Sequence, residues 1–526
     1  MAIKIILLVV FFAVMIGIGV YSRKHATNVN GFVLGGRNVG PWLTAFAFGT
    51  SYFSAVIFIG YAGQFGWNFG LASTWIGLGN AFIGSLLAWV VLGRRTRIMT
   101  QHIDSKTMPD FFGKRFNSPA LKIAASVIVF IFLIPYTASL YNGLSSLFNM
   151  AFDIPYYVCI IVMAVLTCIY VLFGGYMATA INDFVQGIIM LIGIVAVVLA
   201  VLYSNGGLLN AMTELSHIEA ETSAMDGAFT SFLGPDPLAL LFVVILTSLG
   251  TWGLPQMVGK FYAIKSEDAI KKGTIISTIF AIIVAGGCYF LGGFGRLYGG
   301  IEGIVSETGS VSFDAIVPAM LGTLNNYSWG DIIIAVVIVL VLAASMSTLS
   351  SLVLTSSSTL TLDVIDSKGT MSEKKKMLVM RIFIAFFVAV SAVIAIVKDT
   401  FGFTFIAQMM GVSWGALAGA FLAPFLYGLY WKKTTKAAVW ASFAFGIAVT
   451  IVQLLCSFGV ITFSGEVMSY LFASSIRSGV VSMVGGLVIV PIVSLVTPKM
   501  KKAEVDEKFA GYDKQVTVTV KETLEK

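Results

Sequence analysis

Ala344, Ser345, Met346, Ser347, Thr348, Leu349, Ser350 and Ser351 form a run of small and hydroxyl residues inside an otherwise apolar stretch between Ile332 and Leu362. On a helix, Ser347, Ser350 and Ser351 share one face, and Thr348 stacks one turn after the carbonyl of Ala344, because residues three and four apart lie one above the other. Oxygens then converge without a full charge. A hard, weakly bound monovalent cation takes such ligands, whereas zinc or copper takes imidazole or thiolate. The run therefore predicts half of an ion site at membrane depth. The competing reading is structural: small and hydroxyl residues let membrane helices approach closely, and hydroxyls bond back to the carbonyl four residues earlier.

Two further segments carry a matching signal. Ala47, Phe48, Gly49, Thr50, Ser51, Tyr52, Phe53, Ser54 and Ser248, Leu249, Gly250, Thr251, Trp252, Gly253, Leu254, Pro255 each place Gly and Thr near the middle of an apolar span, and the second adds Gly253 and Pro255. Gly and Pro weaken or break a helix. Interrupted helices in corresponding positions point to a transporter's binding site, because unwound backbone lines a cavity there. Gly and Pro are also common in ordinary membrane helices, so the pairing of the two breaks carries the inference rather than either one.

The elements that must position these residues are membrane helices. At 526 residues, 58% hydrophobic and 11% charged, with a mean hydropathy of +0.92, the chain has too little polar surface to cover a water-soluble globule. Apolar windows of about 20 residues predict an all-α polytopic membrane protein with about thirteen transmembrane helices. They fall at 4 to 22, 42 to 63, 71 to 93, 121 to 147, 155 to 174, 178 to 203, 236 to 258, 274 to 298, 330 to 362, 378 to 398, 403 to 430, 438 to 460 and 477 to 497. The first window lacks a small-residue cleavage site and runs into Tyr21, Ser22, Arg23 and Lys24, which predicts a retained span.

Basic residues alternate with the loops, as they do when cytoplasmic loops collect Lys and Arg. They follow span one (Arg23, Lys24, Arg37), three (Arg94, Arg95, Arg97, Lys106, Lys114, Arg115), seven (Lys260, Lys265, Lys271, Lys272), nine (Lys368, Lys374, Lys375, Lys376) and eleven (Lys432, Lys433, Lys436). Lys499, Lys501 and Lys502 continue the pattern, while Glu214, Glu219, Glu221, Asp226, Glu302, Glu307 and Asp314 mark the other side. The amino terminus is expected outside and the carboxyl terminus in the cytoplasm. The net charge of +7 is thus orientation, and no basic aromatic surface argues for nucleic acid.

The two breaks lie five spans apart, so halves two to six and seven to eleven face opposite ways: an inverted repeat. The expected organisation is 1–41 (first helix and cytoplasmic loop), 42–203 (first five-helix repeat), 204–235 (extracellular loop), 236–430 (second repeat), 431–497 (two peripheral helices) and 498–526 (a solvated cytoplasmic tail). Cys159, Cys168, Cys288 and Cys456 read as small buried hydrophobes, and His25, His102 and His217 sit in separate loops. No metal-ligand spacing or nucleophilic triad is visible. No enzymatic activity is expected.

Three motifs carry a resemblance. Gly31, Phe32, Val33, Leu34, Gly35, Gly36, Arg37 is similar to a Tyr-x-Leu-Gly-Gly-Arg lead-in to a first core helix. Pro109, Asp110, Phe111, Phe112, Gly113, Lys114, Arg115, Phe116 resembles a Pro-Asp-Tyr-Phe-x-x-Arg-Phe loop. Gly174 to Gln186, with Ala178, Asn182, Asp183 and Gln186, resembles Gly-Gly-x-x-Ala-x-x-Thr-Asp-x-x-Gln, with Asn182 where Thr is usual. Together they resemble the sodium/solute symporter family, whose members share the inverted-repeat fold of the bacterial leucine transporter.

The resemblance implies a sodium-coupled symporter in a bacterial plasma membrane that imports a small organic solute by alternating access. It implies a sodium site from the carbonyls of Thr50, Phe53 and Ala344 and the hydroxyls of Ser347 and Thr348. Asp183 with Ser347, Ser350 and Ser351 matches the family's second sodium site, or alternatively a cytoplasmic exit for the ion; an ionisable residue within a span is a functional candidate by default. Sodium would pin the Thr50 to Phe53 strand to span nine and so order the solute cavity between spans two and seven.

Candidate solute contacts are Tyr52, Ser54, Trp75, Thr251, Trp252, Gln256, Gln408 and Trp414, each of which also suits helix packing or a membrane interface. Proline transporters of the family carry Asp where this chain has Tyr52, and Trp and Tyr where Thr247 and Thr251 stand. Another amino acid, a carboxylate or a related metabolite remains open. So does a sugar, as does a proton-coupled or exchange mechanism on the same fold; a passive channel would show a continuous polar lining.

Overall fold

The computed structural model describes residues 2–22, 28–152, 155–307, 309–397 and 406–513. Arg23, Lys24, His25, the ends of the windows near 398 and 403, and the tail beyond Asp513 lie outside them. Nine helices place the site or bear on its surroundings: α1 (Ala2–Ser22), α2 (Pro41–Tyr52), α3 (Pro119–Phe152), α4 (Tyr156–Ser204), α5 (Pro237–Leu249), α6 (Pro255–Ala263), α7 (Gly330–Thr359), α8 (Ile406–Tyr430) and α9 (Lys502–Phe509).

A membrane helix needs no protein partner on its lipid side, so burial separates core from periphery. Only 22% of the most apolar window of α1 is buried, and 39% in each of Lys436–Ser457 and Ser475–Val496, against 83% in Gly330–Ile365 and 94% in α8. The hydroxyl-rich α7 and α8 are therefore core helices, each packed on α3. Segments one, twelve and thirteen, expected as peripheral, are among the less buried, as is Glu373–Ile396 at 39%.

Among the described residues, ten helices are long and apolar enough to cross a membrane, or eleven if the bent pair α5 and α6 is one span. The predicted windows 42 to 63 and 155 to 174 are the two not matched by a continuous helix of that length. In the first, α2 stops at Tyr52 and the helix that resumes at Val56 runs on into the next span. In the second, the apolar helix Tyr156–Ile169 is short.

Both breaks are backbone events with identifiable causes. Phe53 is extended (φ −97°, ψ 129°). The helical ladder ends with Phe53 N–H on the Gly49 carbonyl and restarts with Ile57 and Phe58 N–H on the Ser54 carbonyl, so the carbonyls of Thr50 to Phe53 step out of it. In the second break a single tight turn, Gly250–Gly253, leads to extended Leu254 (φ −88°, ψ 119°) and to Pro255 at the first position of α6. Proline has no N–H to continue the ladder but suits a helix start. The two halves bend by 47°.

Polar ties hold the break ends together. Val39 N–H donates to the Ala263 carbonyl at 3.1 Å and Lys265 N–H to the Val39 carbonyl at 3.0 Å, which fastens the lead-in of α2 to the end of α6. Arg37, after the left-handed Gly35 and Gly36, donates to the carbonyls of Tyr262 and Thr100 at 3.3 Å each. Within α4, Gly175 adopts φ 55°, ψ −154°, a conformation nearly reserved for glycine. A Cβ there would lie 2.7 Å from the Phe32 ring.

The expected solvated tail is instead docked over its described part. Asp506 of α9 pairs with Lys432 at 2.7 Å, the Glu507 carbonyl lies 2.8 Å from His102 Nε2, and Phe509 is buried with the Arg115 guanidinium 4.9 Å from its ring centre. Burial pulls Arg115 down to about 10. Apolar Val505 and Phe509 drive this docking, which charge counting alone does not reveal. The tail thereby shares one end of the molecule with the basic segments 94–115 and 432.

Candidate functional site: a neutral oxygen cluster at the first break

Thr348 Oγ1, projecting from α7, lies 3.2 Å from the Thr50 carbonyl, 3.3 Å from the Phe53 carbonyl and 3.1 Å from the Ala344 carbonyl. Ser347 Oγ donates to Thr50 Oγ1 at 2.7 Å, and Thr50 Oγ1 donates to the Phe46 carbonyl at 2.8 Å. Thr50, Ser347 and Thr348 have no solvent exposure. A hydroxyl carries one hydrogen. Three carbonyls around it therefore leave more lone pairs than protons in a buried space, which a small cation satisfies without needing a carboxylate. The helix break at Phe53 makes this possible by releasing two of the three carbonyls from the ladder. All five residues read from sequence as the sodium set meet here. The Thr50 hydroxyl adds a contact, since only its carbonyl was expected to take part.

The second expected set has a different arrangement. Asp183 on α4 is fully buried. Ser350 Oγ turns back to the Ser347 carbonyl at 2.8 Å. Ser351 Oγ lies 2.8 Å from Ser51 Oγ and accepts from Lys260 Nζ at 2.9 Å. That ammonium is also 3.6 Å from Asp183 Oδ2 and 5.4 Å from the centre of the Tyr176 ring. Lys260, counted from sequence among the loop cations, is thus a buried residue of α6. A buried carboxylate is costly unless paired, and Lys260 supplies the countercharge. Lys260, Gln256, Tyr176, Thr179 and Ser351 line a cavity that reaches Lys106 and Thr107 at the basic end.

The solute candidates divide. Tyr52 stacks on Trp414 with ring centres 6.1 Å apart, and its hydroxyl donates to the Thr247 carbonyl at 2.5 Å. Ser54 Oγ, Trp414 Nε1 and both side-chain polar atoms of Gln256 are buried without a hydrogen-bond partner. These three residues keep polar atoms available for a ligand. Thr251 Oγ1 bonds the Gly84 and Ser248 carbonyls at 3.2 and 2.9 Å, and Trp252 Nε1 the Ile83 carbonyl at 3.0 Å, so both are engaged in helix packing. Trp75 stands apart, donating to the Phe232 carbonyl at 2.8 Å beside an outer apolar groove with Phe82 and Leu240. Gln408 lies with Gln64, Gln453 and Arg477 in another pocket. Large amphipathic side chains suit either place, and sequence spacing does not fix which way they point across the bundle.

Tyr136 was missed. It packs edge-on against Trp414 with centres 6.0 Å apart, and its buried hydroxyl has no hydrogen-bond partner. Tyr141 and Asn142 on the same helix, α3, also bury unpartnered polar atoms. The signal was present: Tyr136, Thr137, Ser139, Tyr141, Asn142 and Ser145 crowd one apolar span much as hydroxyls crowd α7.

Residues 32–446 match the sodium:solute symporter family. The chain is 29% identical to the osmoregulated proline transporter OpuE of Bacillus subtilis, over 92% of this chain and 95% of that one. It is 30% identical to a sodium/proline symporter of Staphylococcus aureus, over 85% of each. A solved structure of a Na+-coupled sialic acid symporter superposes with a TM-score of 0.74 at 18% identity, covering 95% of this chain and 98% of that one. The inverted-repeat fold with two broken helices, the transporter rather than enzyme character and sodium as the coupling ion all follow from this match. The chain belongs to the sodium:solute symporter family.

Proposed function

We propose that the chain imports a small organic solute, an amino acid or a related carboxylate, by alternating access. The coupling sodium is held by the carbonyls of Thr50, Phe53 and Ala344 and the hydroxyls of Ser347 and Thr348. The observation that carries this is the meeting of three carbonyls on the single Thr348 hydroxyl.

An ion shifts a conformational equilibrium only by its differential affinity for the two states. The Thr50 to Phe53 strand offers that difference, because it belongs to the first broken helix while its partners sit on α7. Sodium bound between them fixes the strand, and with it Tyr52 and Ser54 on the solute side. Release to a low-sodium cytoplasm frees the strand. Each charge crossing a potential of 100 mV contributes about 2.3 kcal/mol before the concentration term. In this reading the amino terminus is outside, and the end with the basic segments and α9 is cytoplasmic.

Tyr52 and Tyr136 both pack their rings on Trp414, and with Ser54 they would give the solute an aromatic and hydroxyl lining without an ionised side chain. That lining suits a small solute with an apolar face. The two relatives named above are proline transporters by name, so proline heads the panel. Thr247 and Thr251 spend their hydroxyls on the Val243, Gly84 and Ser248 carbonyls, which favours a solute that does not need them. Purified protein in sodium-free proteoliposomes, offered proline, other amino acids, monocarboxylates and sugars, is expected to accumulate one class only under an inward sodium gradient. Equal uptake with potassium outside would reject sodium coupling.

A further inference from the structure

Asp183, Ser351 and Ser51 form a second polar cluster beside the first, joined to it through α7 and the first broken helix. Its charge balance is already complete. The Asp183 carboxylate is wholly buried and makes no hydrogen bond within 3.5 Å, Lys260 and Ser347 being the donors beside it, so it depends on a nearby positive charge. Lys260 Nζ provides one from 3.6 Å. The same ammonium donates to Ser351 Oγ at 2.9 Å, and Ser351 Oγ contacts Ser51 Oγ at 2.8 Å. The ring of Tyr176 faces it at 5.4 Å. Carboxylate, hydroxyl and aromatic face surround the ammonium as they would surround a free cation.

Resting on the sodium-coupled reading above, we infer that Lys260 is a tethered second cation, filling the place beside Asp183 and Ser351 that a second sodium would take, so that one sodium accompanies each solute. A free cation added there would meet the ammonium at contact distance, where like charges in a weakly screened interior repel strongly. The carboxylate that would attract it is already neutralised. Lys260 is a positioning residue for the Ser51 to Ser351 contact, and through Ser51 for the strand that carries Thr50. Its flexible four-carbon stem also borders the cavity at the basic end, so the tethered charge stays with the protein through the cycle while the sodium leaves.

The test counts sodium. Equilibrium binding of radioactive sodium to the purified full chain in nanodiscs, without solute, is expected to saturate at one ion per chain with a Hill coefficient near one. Lys260→Arg should keep that count. Lys260→Met, or Lys260→Gln should the first not be recovered folded, should bind two ions per chain with a Hill coefficient above one. Lys260→Met combined with Asp183→Asn should return to one. Two ions bound by the unaltered chain would overturn the inference, and so would a folded Lys260→Met protein that still binds one. A purely structural lysine would lower stability without changing the count. No saturable sodium binding by the unaltered chain would instead overturn the sodium-coupled reading itself, so the two failures are distinguishable.

Discussion

The hydroxyl of Tyr52, on the first broken helix, donates to the carbonyl of Thr247, on the second, at 2.5 Å. This bond clasps the two interrupted helices next to the break whose carbonyls meet Thr348. Tyr52 also stacks on Trp414 of α8, so the clasp joins three elements.

Tyr52→Phe keeps the ring and removes the bond. A typical net hydrogen bond contributes about 1 kcal/mol, which corresponds to an equilibrium shift of about fivefold against the conformation described here. The cavity lined by Thr355 and Lys260 supplies the readout. Once the free cysteines Cys159, Cys168, Cys288 and Cys456 are replaced, a Thr355→Cys thiol should react with a membrane-impermeant maleimide from the face bearing the basic segments. Tyr52→Phe should slow that reaction several-fold. An unchanged labelling rate would remove the clasp from the conformational cycle.

Gly175→Ala tests the kink in α4. The backbone there has φ 55°, ψ −154°, and the new methyl would approach Phe32 to 2.7 Å. Strain at such a conformation costs on the order of 1–3 kcal/mol. The variant should show a lower melting temperature in detergent and lower abundance, both read by fluorescence-detected gel filtration. An unaltered melting temperature would mean that α4 passes this point without needing glycine.

Tyr136→Phe separates solute from ion. Its hydroxyl is buried and unpartnered beside Trp414, whereas the cage around Thr348 is built from other residues. We expect KM for the transported solute to rise about threefold to tenfold, the range of a lost hydrogen bond, with the half-saturating sodium concentration unchanged. A shift in sodium dependence with KM intact would place Tyr136 on the ion side.

Part of the proposed sodium set was legible from sequence for a physical reason: hydroxyls are anomalous in an apolar span, helical spacing fixes which of them share a face, and Gly49 marks the first break. The carbonyls of Thr50, Phe53 and Ala344 come from the family resemblance, and the structure brings them together with Ser347 and Thr348. Lys260 was not legible. A lysine five residues beyond Pro255 and followed by Lys265, Lys271 and Lys272 looks like loop charge, and only the packing of α6 on α2 and α7, with the reach of the lysine side chain, brings it to Asp183. Trp75 and Gln408 show the same limit from the other side, because side-chain type does not report direction across a bundle. Docking of α9 escaped charge counting because Val505 and Phe509, not its charges, are what it buries.

Sodium protection of the fold gives an independent check. A ligand that binds only the folded state stabilises it by about 2.7 kcal/mol at 100 times its dissociation constant. Sodium, and not potassium at equal ionic strength, should raise the melting temperature of the purified protein along a saturable curve. Equal stabilisation by both salts would reduce the effect to general screening.

The most direct measurement is the half-saturating sodium concentration for binding to the purified chain, compared with Thr348→Ala and Ser347→Ala. Loss of an oxygen that meets a cation costs about 1.5–3 kcal/mol, so each variant should need at least about tenfold more sodium while remaining folded. Sodium binding that is the same in both variants as in the unaltered chain would contradict the cage at the first break.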